Sequence, residues 1–256
     1  SKTILWWNLL RSDDPRFVEE AARRGIADLR VGQPRFGSAA PEPCPAGRAA
    51  RDRTEGLLSE RERRVFDALR TPKRRQEWLL GRMVTKDLVR ALLGTKGEAP
   101  LPAALTVAAA EDGSPYVALE GAGPLPVTVS LSHRAGLALC ALVEAPGAPL
   151  GADLELCEPR PAGFAADFFT RAEVDSLPEA PEQARWRSVA EIWSLKESAL
   201  KAVRLGLGAD TRSVQVGARG APEAGWSQAE LELQLPSAPR RARGLARWHG
   251  AHVLTL

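Results

Sequence analysis

The side chains best suited to chemistry in this 256-residue chain lie in two short stretches. In "IWSLKESALK" (192–201), Glu197 and Lys201 stand one helical turn apart, and Trp193 precedes them by another turn. Positions i, i+4 and i+8 share a helix face, while Ile192, Leu195, Ala199 and Val203 supply a separate apolar stripe. A lone Glu–Lys pair at this spacing is ordinarily a surface pair of about 0.3–0.5 kcal/mol. A large aromatic on the same face argues for partial burial. In "GADLE" (151–155), strand alternation turns Asp153 and Glu155 one way and Ala152, Leu154 and Leu156 the other. Two neighbouring carboxylates repel each other, and a cation between them removes the repulsion. All-oxygen ligands suit Mg²⁺. These five residues also read as a solvated strand face. Glu197, as a third carboxylate, would complete a metal site, with Lys201 one turn on to hold an anion bound to that metal.

"SLSHRAG" (130–136) places Ser132 and His133 at the end of a strand, where polar groups can face a cleft. A lone histidine is more often structural, and no spacing supports a Ser-His-Asp or Cys-His catalytic arrangement. Arg75, Arg82, Lys86 and Arg90 recur at helical spacing as a cationic stripe. By default that is a solvated face; turned to a cleft it would supply phosphate contacts. Cys44, Cys140 and Cys157 are odd in number and lack metal-type spacing, which points to a reducing, cytoplasmic setting. Lys and Arg outnumber Asp and Glu by 35 to 32, too small an excess to imply nucleic acid. No apolar run nears the ~20 residues of a membrane span, and no signal-peptide pattern opens the chain.

The elements that must position these residues can be placed by pattern. A first strand is predicted over 3–10, a helix over 14–24 and an exposed Pro/Gly/Arg-rich loop over 32–56. One helix begins after Ser59 as N-cap, and a stronger one covers 72–93, with Leu80, Met83, Val84, Leu88 and Leu92 as its core stripe. A hairpin over 105–119 turns at Asp112-Gly113, and two buried strands (127–132 and 137–144) flank His133–Gly136. A strand at 150–156, the segment "FFTRAEVDSL" (168–177), a long helix over 181–204 and the short segments "SVQVG", "ELELQL" and "AHVLTL" follow. A boundary near 147 gives an N-terminal half (1–147) and a C-terminal half (148–256). Both read as strand, helix, then more strands, without a sequence repeat strong enough to prove duplication.

Taken together, the segments resemble the 4′-phosphopantetheinyl transferases, in particular the large monomeric, surfactin-synthetase-activating class. "VSLSHRAG" is similar to that family's Ser-His motif, "GADLE" to its metal strand, "FFTRAE" to the Phe-Phe segment and "WSLKESALKAVRLGLG" to its Trp-x-x-Lys-Glu helix. "LLSERERR" and "KRRQEWLLGR" resemble its upstream Arg-rich helices, so the resemblance spans about 57–208. It implies an α+β fold of two similar halves related by a pseudo-twofold, with coenzyme A between them. The implied reaction transfers the phosphopantetheine arm of coenzyme A to a carrier-protein serine, releasing adenosine 3′,5′-bisphosphate. Asp153, Glu155 and Glu197 would hold Mg²⁺, Lys201 would meet the pyrophosphate, and Glu197 would act as general base. Lys73, Arg75, Ser130, Ser132 and His133 would touch the nucleotide. The implied partners are acyl or peptidyl carrier domains of polyketide, fatty-acid or nonribosomal peptide synthases, served by a cytoplasmic monomer with neither nucleic acid nor membrane involved.

Two positions depart from the family pattern: Ala152 replaces a bulky aliphatic, and Ser114 stands where relatives carry a phosphate-binding lysine. A Mg²⁺-dependent phosphohydrolase would use the same carboxylates. A nucleic-acid-binding module would use the Arg-rich helices, but aromatic content of 5% is poor for base stacking.

Overall fold

The computed structural model describes residues 5–26, 56–97, 99–205, 208–235 and 239–256. The predicted 32–56 loop, except Gly56, and Cys44 lie outside the described residues. The chain divides into two compact units, the first ending at Ala148 and the second starting at Pro149.

In the first unit, β1 (Leu5–Arg11), β6 (Leu137–Val143) and β5 (Thr128–Arg134) form an antiparallel sheet in the order β1-β6-β5. Every residue of the middle strand β6 is buried, as its unbroken apolar run requires. Helix α1 (Pro15–Arg23) starts at the Asp14 cap, α2 (Glu60–Ala68) at the predicted Ser59 cap, and α3 (Pro72–Gly94) at Thr71 with Pro72 in its first turn. The predicted α3 stripe of Leu80, Met83, Val84, Leu88 and Leu92 is buried in the core with Val129 and Leu142. A second sheet, β2-β3-β4 (Leu105–Ala109, Pro115–Leu119, Gly123–Pro124), contains the predicted hairpin.

The second unit is one antiparallel sheet ordered β7-β11-β10-β9-β8, from β7 (Asp153–Leu156), β8 (Val214–Arg219), β9 (Ser227–Gln234), β10 (Pro239–His249) and β11 (His252–Thr255). Short helices α4 (Phe164–Phe168) and α5 (Arg171–Asp175) precede the long α6 (Glu182–Ala202). Leu195 and Leu200 of α6 pack on Val214, Leu231 and Leu233 of the sheet. Both units are therefore α+β.

The two units share an internal plan that the sequence left unproved. In the first, the Ser59 capping box recruits Glu62, which also accepts the Val107 N–H (2.9 Å) and the Lys86 ammonium (2.5 Å). Lys86 then donates to the carbonyls of Leu57 (2.6 Å) and Pro102 (2.9 Å). In the second, the Thr170 capping box recruits Glu173, which accepts the Val216 N–H (2.7 Å) and pairs with Lys196 (2.8 Å). Lys196 also donates to the carbonyls of Thr211 and Val214. Each unit thus uses a capping glutamate and a long-helix lysine, both buried, to fasten two helices and the strand that follows a short 3₁₀ turn.

That clamp corrects the reading of a cationic stripe on α3. Lys86 is wholly buried, and Arg82 stacks on Trp78 with its guanidinium carbon 3.9 Å from the ring centroid. Arg75 donates to Leu69 O (2.8 Å) and Arg90 to Pro100 O (2.7 Å). Burial pushes Arg82 down to about 10 and Lys86 down to about 8. These cations satisfy backbone carbonyls and a buried carboxylate, so they form no solvated stripe. The sequence pattern does not predict the eleven-residue β10, whose arginine-rich sequence carries no clear apolar signal although it pairs with β9 and β11.

Candidate functional site

The second unit brings the two chemically suggestive stretches together. A Cβ at Gly151 would lie 1.7 Å from the Ser198 carbonyl oxygen and 2.9 Å from the Ala202 nitrogen. Only glycine allows the chain entering β7 to touch the α6 backbone so closely. Ala152 and Leu154 are buried behind it. The expected alternation of β7 holds, and the carboxylates face α6 side chains.

Asp153 is 5% exposed, and its Oδ1 accepts from Lys201 Nζ (2.7 Å). Its Oδ2 accepts from Ser194 Oγ (2.9 Å), which in turn sits 2.8 Å from Thr255 Oγ1 of β11. Lys201 also donates to Ala152 O (3.0 Å). Glu155 accepts from Trp193 Nε1 at Oε1 (3.1 Å) and from Arg160 at Oε2 (2.7 Å). The Trp193 ring packs edge-on against Phe164 and Phe168, with centroids 5.1 and 5.3 Å away. This answers why a tryptophan shares a face with Glu197 and Lys201: its N–H orients Glu155, and its ring is half-buried among aromatics.

Glu197 stands apart from these two. It is 6% exposed, and its buried Oε1 has no hydrogen-bond partner. Burial, then the nearby Asp153, pushes its carboxyl up to about 7; Lys201 opposes the shift and Glu155 adds to it. The duplicated plan supplies an internal control. The residue after the buried lysine is Asp87 in the first unit, and burial raises it too, but Arg16 pairs with it at 3.0 Å. Among the described residues, no arginine pairs with Glu197 in this way, so a buried acceptor is left over where its counterpart is satisfied.

The donor chemistry fits a hard divalent cation: three carboxylates, one of them with an orphaned buried oxygen. The arrangement is not closed around such an ion, however. Among the described residues, no group of three or more acidic, histidine or cysteine side chains is arranged as a ready metal site. The oxygens of Asp153 and Glu155 are turned to donors of the chain itself.

The residues expected at the nucleotide all lie in the first unit and are only partly gathered. Lys73 Nζ and His133 Nδ1 lie 3.8 and 4.0 Å from the carboxylate of Glu77. Arg75 is drawn away instead: it reaches Leu69 O and Asp67 O and stacks on Phe66 at 5.3 Å. Ser130 is buried in β5, while Ser132 is half-buried beside the β5–β6 turn. Ser114 donates through N and Oγ to Asp112 Oδ1 (2.9 and 2.6 Å), closing the hairpin turn.

Sequence reasoning missed Arg160 and Ser194, which hold the two strand carboxylates, and Thr255, which braces Ser194. Ser194 carried a legible signal, since it stands three positions before Glu197 on α6. Arg160 carried none, because it reaches Glu155 only through the turn between β7 and α4. Lys196 and Glu173 were quoted within motifs but not assigned their buried pairing.

Residues 149–249 match the family model described as the 4′-phosphopantetheinyl transferase superfamily. The matched segment contains Asp153, Glu155, Glu197 and Lys201. Among solved structures, the holo-[acyl-carrier-protein] synthase (AcpS) of Thermotoga maritima is similar at 18% identity and a TM-score of 0.34. The alignment covers 65% of this chain and 76% of that one. No curated protein matches the sequence.

Proposed function

We propose that the protein transfers the 4′-phosphopantetheine arm of coenzyme A to a serine of an acyl or peptidyl carrier domain, releasing adenosine 3′,5′-bisphosphate. The observation that carries the reading is the gathering of Asp153, Glu155 and Lys201 near Glu197, whose buried Oε1 has no hydrogen-bond partner, within a segment that matches the superfamily's model. Asp153, Glu155 and Glu197 would hold Mg²⁺, which when bound supplies charge neutralisation at the pyrophosphate. Lys201, with 29% of its side chain exposed, would exchange Asp153 for a phosphate oxygen. Glu197, beside the ion, would accept the proton of the attacking serine hydroxyl, directly or through water. Trp193 and Ser194 orient the other two carboxylates. Lys73, Ser130, Ser132 and His133 are assigned to the nucleotide.

The test is mass spectrometry of a panel of apo carrier domains incubated with the protein, coenzyme A and Mg²⁺. One phosphopantetheine should be added per carrier domain, with none in EDTA or with Asp153→Ala. Hydrolysis of coenzyme A without carrier modification would favour a phosphohydrolase and overturn the reading.

A further inference from the structure

Two of the three carboxylates already hold cations, and both cations belong to the chain. Lys201 sits on Asp153, and Arg160 sits on Glu155. The Arg160–Glu155 pair is the more enclosed, with side-chain exposures of 16% and 14%. Its 2.7 Å contact uses Glu155 Oε2, and Trp193 takes Oε1, so the carboxylate is closed to an incoming ion. Glu197, meanwhile, keeps a buried oxygen with no donor. The cluster therefore has one carboxylate ready for a cation and one capped by a guanidinium.

We propose that Arg160 is a tethered stand-in for the divalent cation: it occupies Glu155 in the metal-free protein and leaves when the ion binds. This rests on the proposed metal role of the three carboxylates. An arginine and a divalent ion on the same carboxylate oxygen repel each other at short range, so the two occupancies compete. Arg160 has somewhere to go. Its side chain borders a cleft of about 180 Å³ that Phe164, Arg185, Trp186 and Val189 also line. Glu158, 3.9 Å from its other terminal nitrogen, gives it a second acceptor. The Phe164 ring, 5.3 Å from its guanidinium carbon, supports the stem in either position. The consequence is a site that resists weakly held cations and stays neutralised between turnovers. Lys201 makes the equivalent exchange at Asp153.

A purely structural Arg160 would brace the turn after β7 without affecting cation affinity, and the two roles separate experimentally. Terbium is the probe, because Trp193 donates its N–H to Glu155 and would sensitise the luminescence of a lanthanide bound there. Metal-stripped parent, Arg160→Gln, Arg160→Met and Arg160→Lys are titrated with terbium and, in competition, with Mg²⁺. The Gln and Met variants should bind on the order of tenfold more tightly than the parent, and the Lys variant should remain near it. Unchanged or weaker binding by Gln and Met overturns the proposal.

A second measurement uses the parent alone, so it does not depend on any variant folding. Arg160 should react faster with an arginine-selective dicarbonyl, read by peptide mass spectrometry, when Mg²⁺ is added; an equal or slower rate overturns the proposal. Failure of the metal reading is distinguishable from failure of the inference. Carrier modification that persists in EDTA sinks the former and takes the latter with it. Mg²⁺-dependent transfer with Arg160 indifferent to the ion sinks the latter alone.

Discussion

At the scale of single residues, the site depends on one missing side chain and one missing hydrogen bond. Gly151 lets β7 meet α6, and a methyl there would overlap the Ser198 carbonyl. Gly151→Ala should therefore destabilise the protein by about 2–3 kcal/mol or more through forced backbone displacement. It should also weaken cation binding by separating Asp153 and Glu155 from Glu197. Urea unfolding and a terbium titration check both, and a variant indistinguishable from the parent would show that the close approach is dispensable. The unpartnered Glu197 predicts a pH signature in the metal-free protein. Its folded pKa of about 7 lies above the ordinary 4.5, so the folded state favours the protonated form. The associated stability is complete below about pH 4.5 and is lost as pH rises through about 7. Asp153 and Glu155 from β7 push in that direction, and Lys201 from α6 resists it. Denaturation midpoints in EDTA should fall across this window, and Glu197→Gln should flatten the slope. A parent that gains stability over the same range would contradict the assignment.

At the scale of elements, the buried Glu–Lys clamps set the register of the long helices. Lys196 immediately precedes Glu197, so the clamp that fixes one aims the other. Breaking a buried pair by removing one partner leaves an uncompensated charge, a loss of about 3–5 kcal/mol. Lys196→Met should show a loss of that size, and Lys196→Met with Glu173→Gln should recover part of it. Additive losses in a double-mutant cycle would mean the two residues act independently. The clamps also explain what could and could not be read from the sequence. Local signals were legible: the Ser59 cap, the α3 and α6 stripes, the Asp112-Gly113 turn and the alternation of "GADLE". The pairing of Lys86 with Glu62 across 24 residues was not, because helical spacing says which face a charge is on, not what covers that face. The same limit hid β10, where Gly244 and Ala246, lying between Arg243 and Arg247, face α6. There Gly244 leaves room for Leu195, since a Cβ would come within 2.7 Å of its Cδ2. Arg160 was beyond reach for a different reason: its partner is fixed by the path of a turn, and no periodicity describes that path.

At the scale of the whole molecule, the metal candidates belong to the second unit and the nucleotide candidates to the first. Under the proposed function, recognition of the 3′-phosphate of coenzyme A would fall to candidates of the first unit. Ser114, where the resemblance would call for a lysine, is occupied in closing its own turn on Asp112. Lys73 and His133 remain, gathered at Glu77, and Lys73 is 75% exposed. A charge-assisted contact to phosphate contributes roughly 1.5–3 kcal/mol, about a ten- to hundredfold effect on affinity. Dephospho-coenzyme A should accordingly be the poorer substrate for the parent by about that factor. Lys73→Ala and His133→Ala should each narrow the gap by impairing coenzyme A more than its dephospho form. Arg75→Ala should behave differently, because its guanidinium is spent on Leu69 O, Asp67 O and the Phe66 ring. It should lower stability and leave the substrate ratio unchanged. Steady-state kinetics with both substrates at matched carrier concentration decide the matter. Equal use of the two substrates by the parent would remove the 3′-phosphate role from Lys73 and His133 together. A ratio altered only by Arg75→Ala would move that role to the one cation the structure assigns elsewhere.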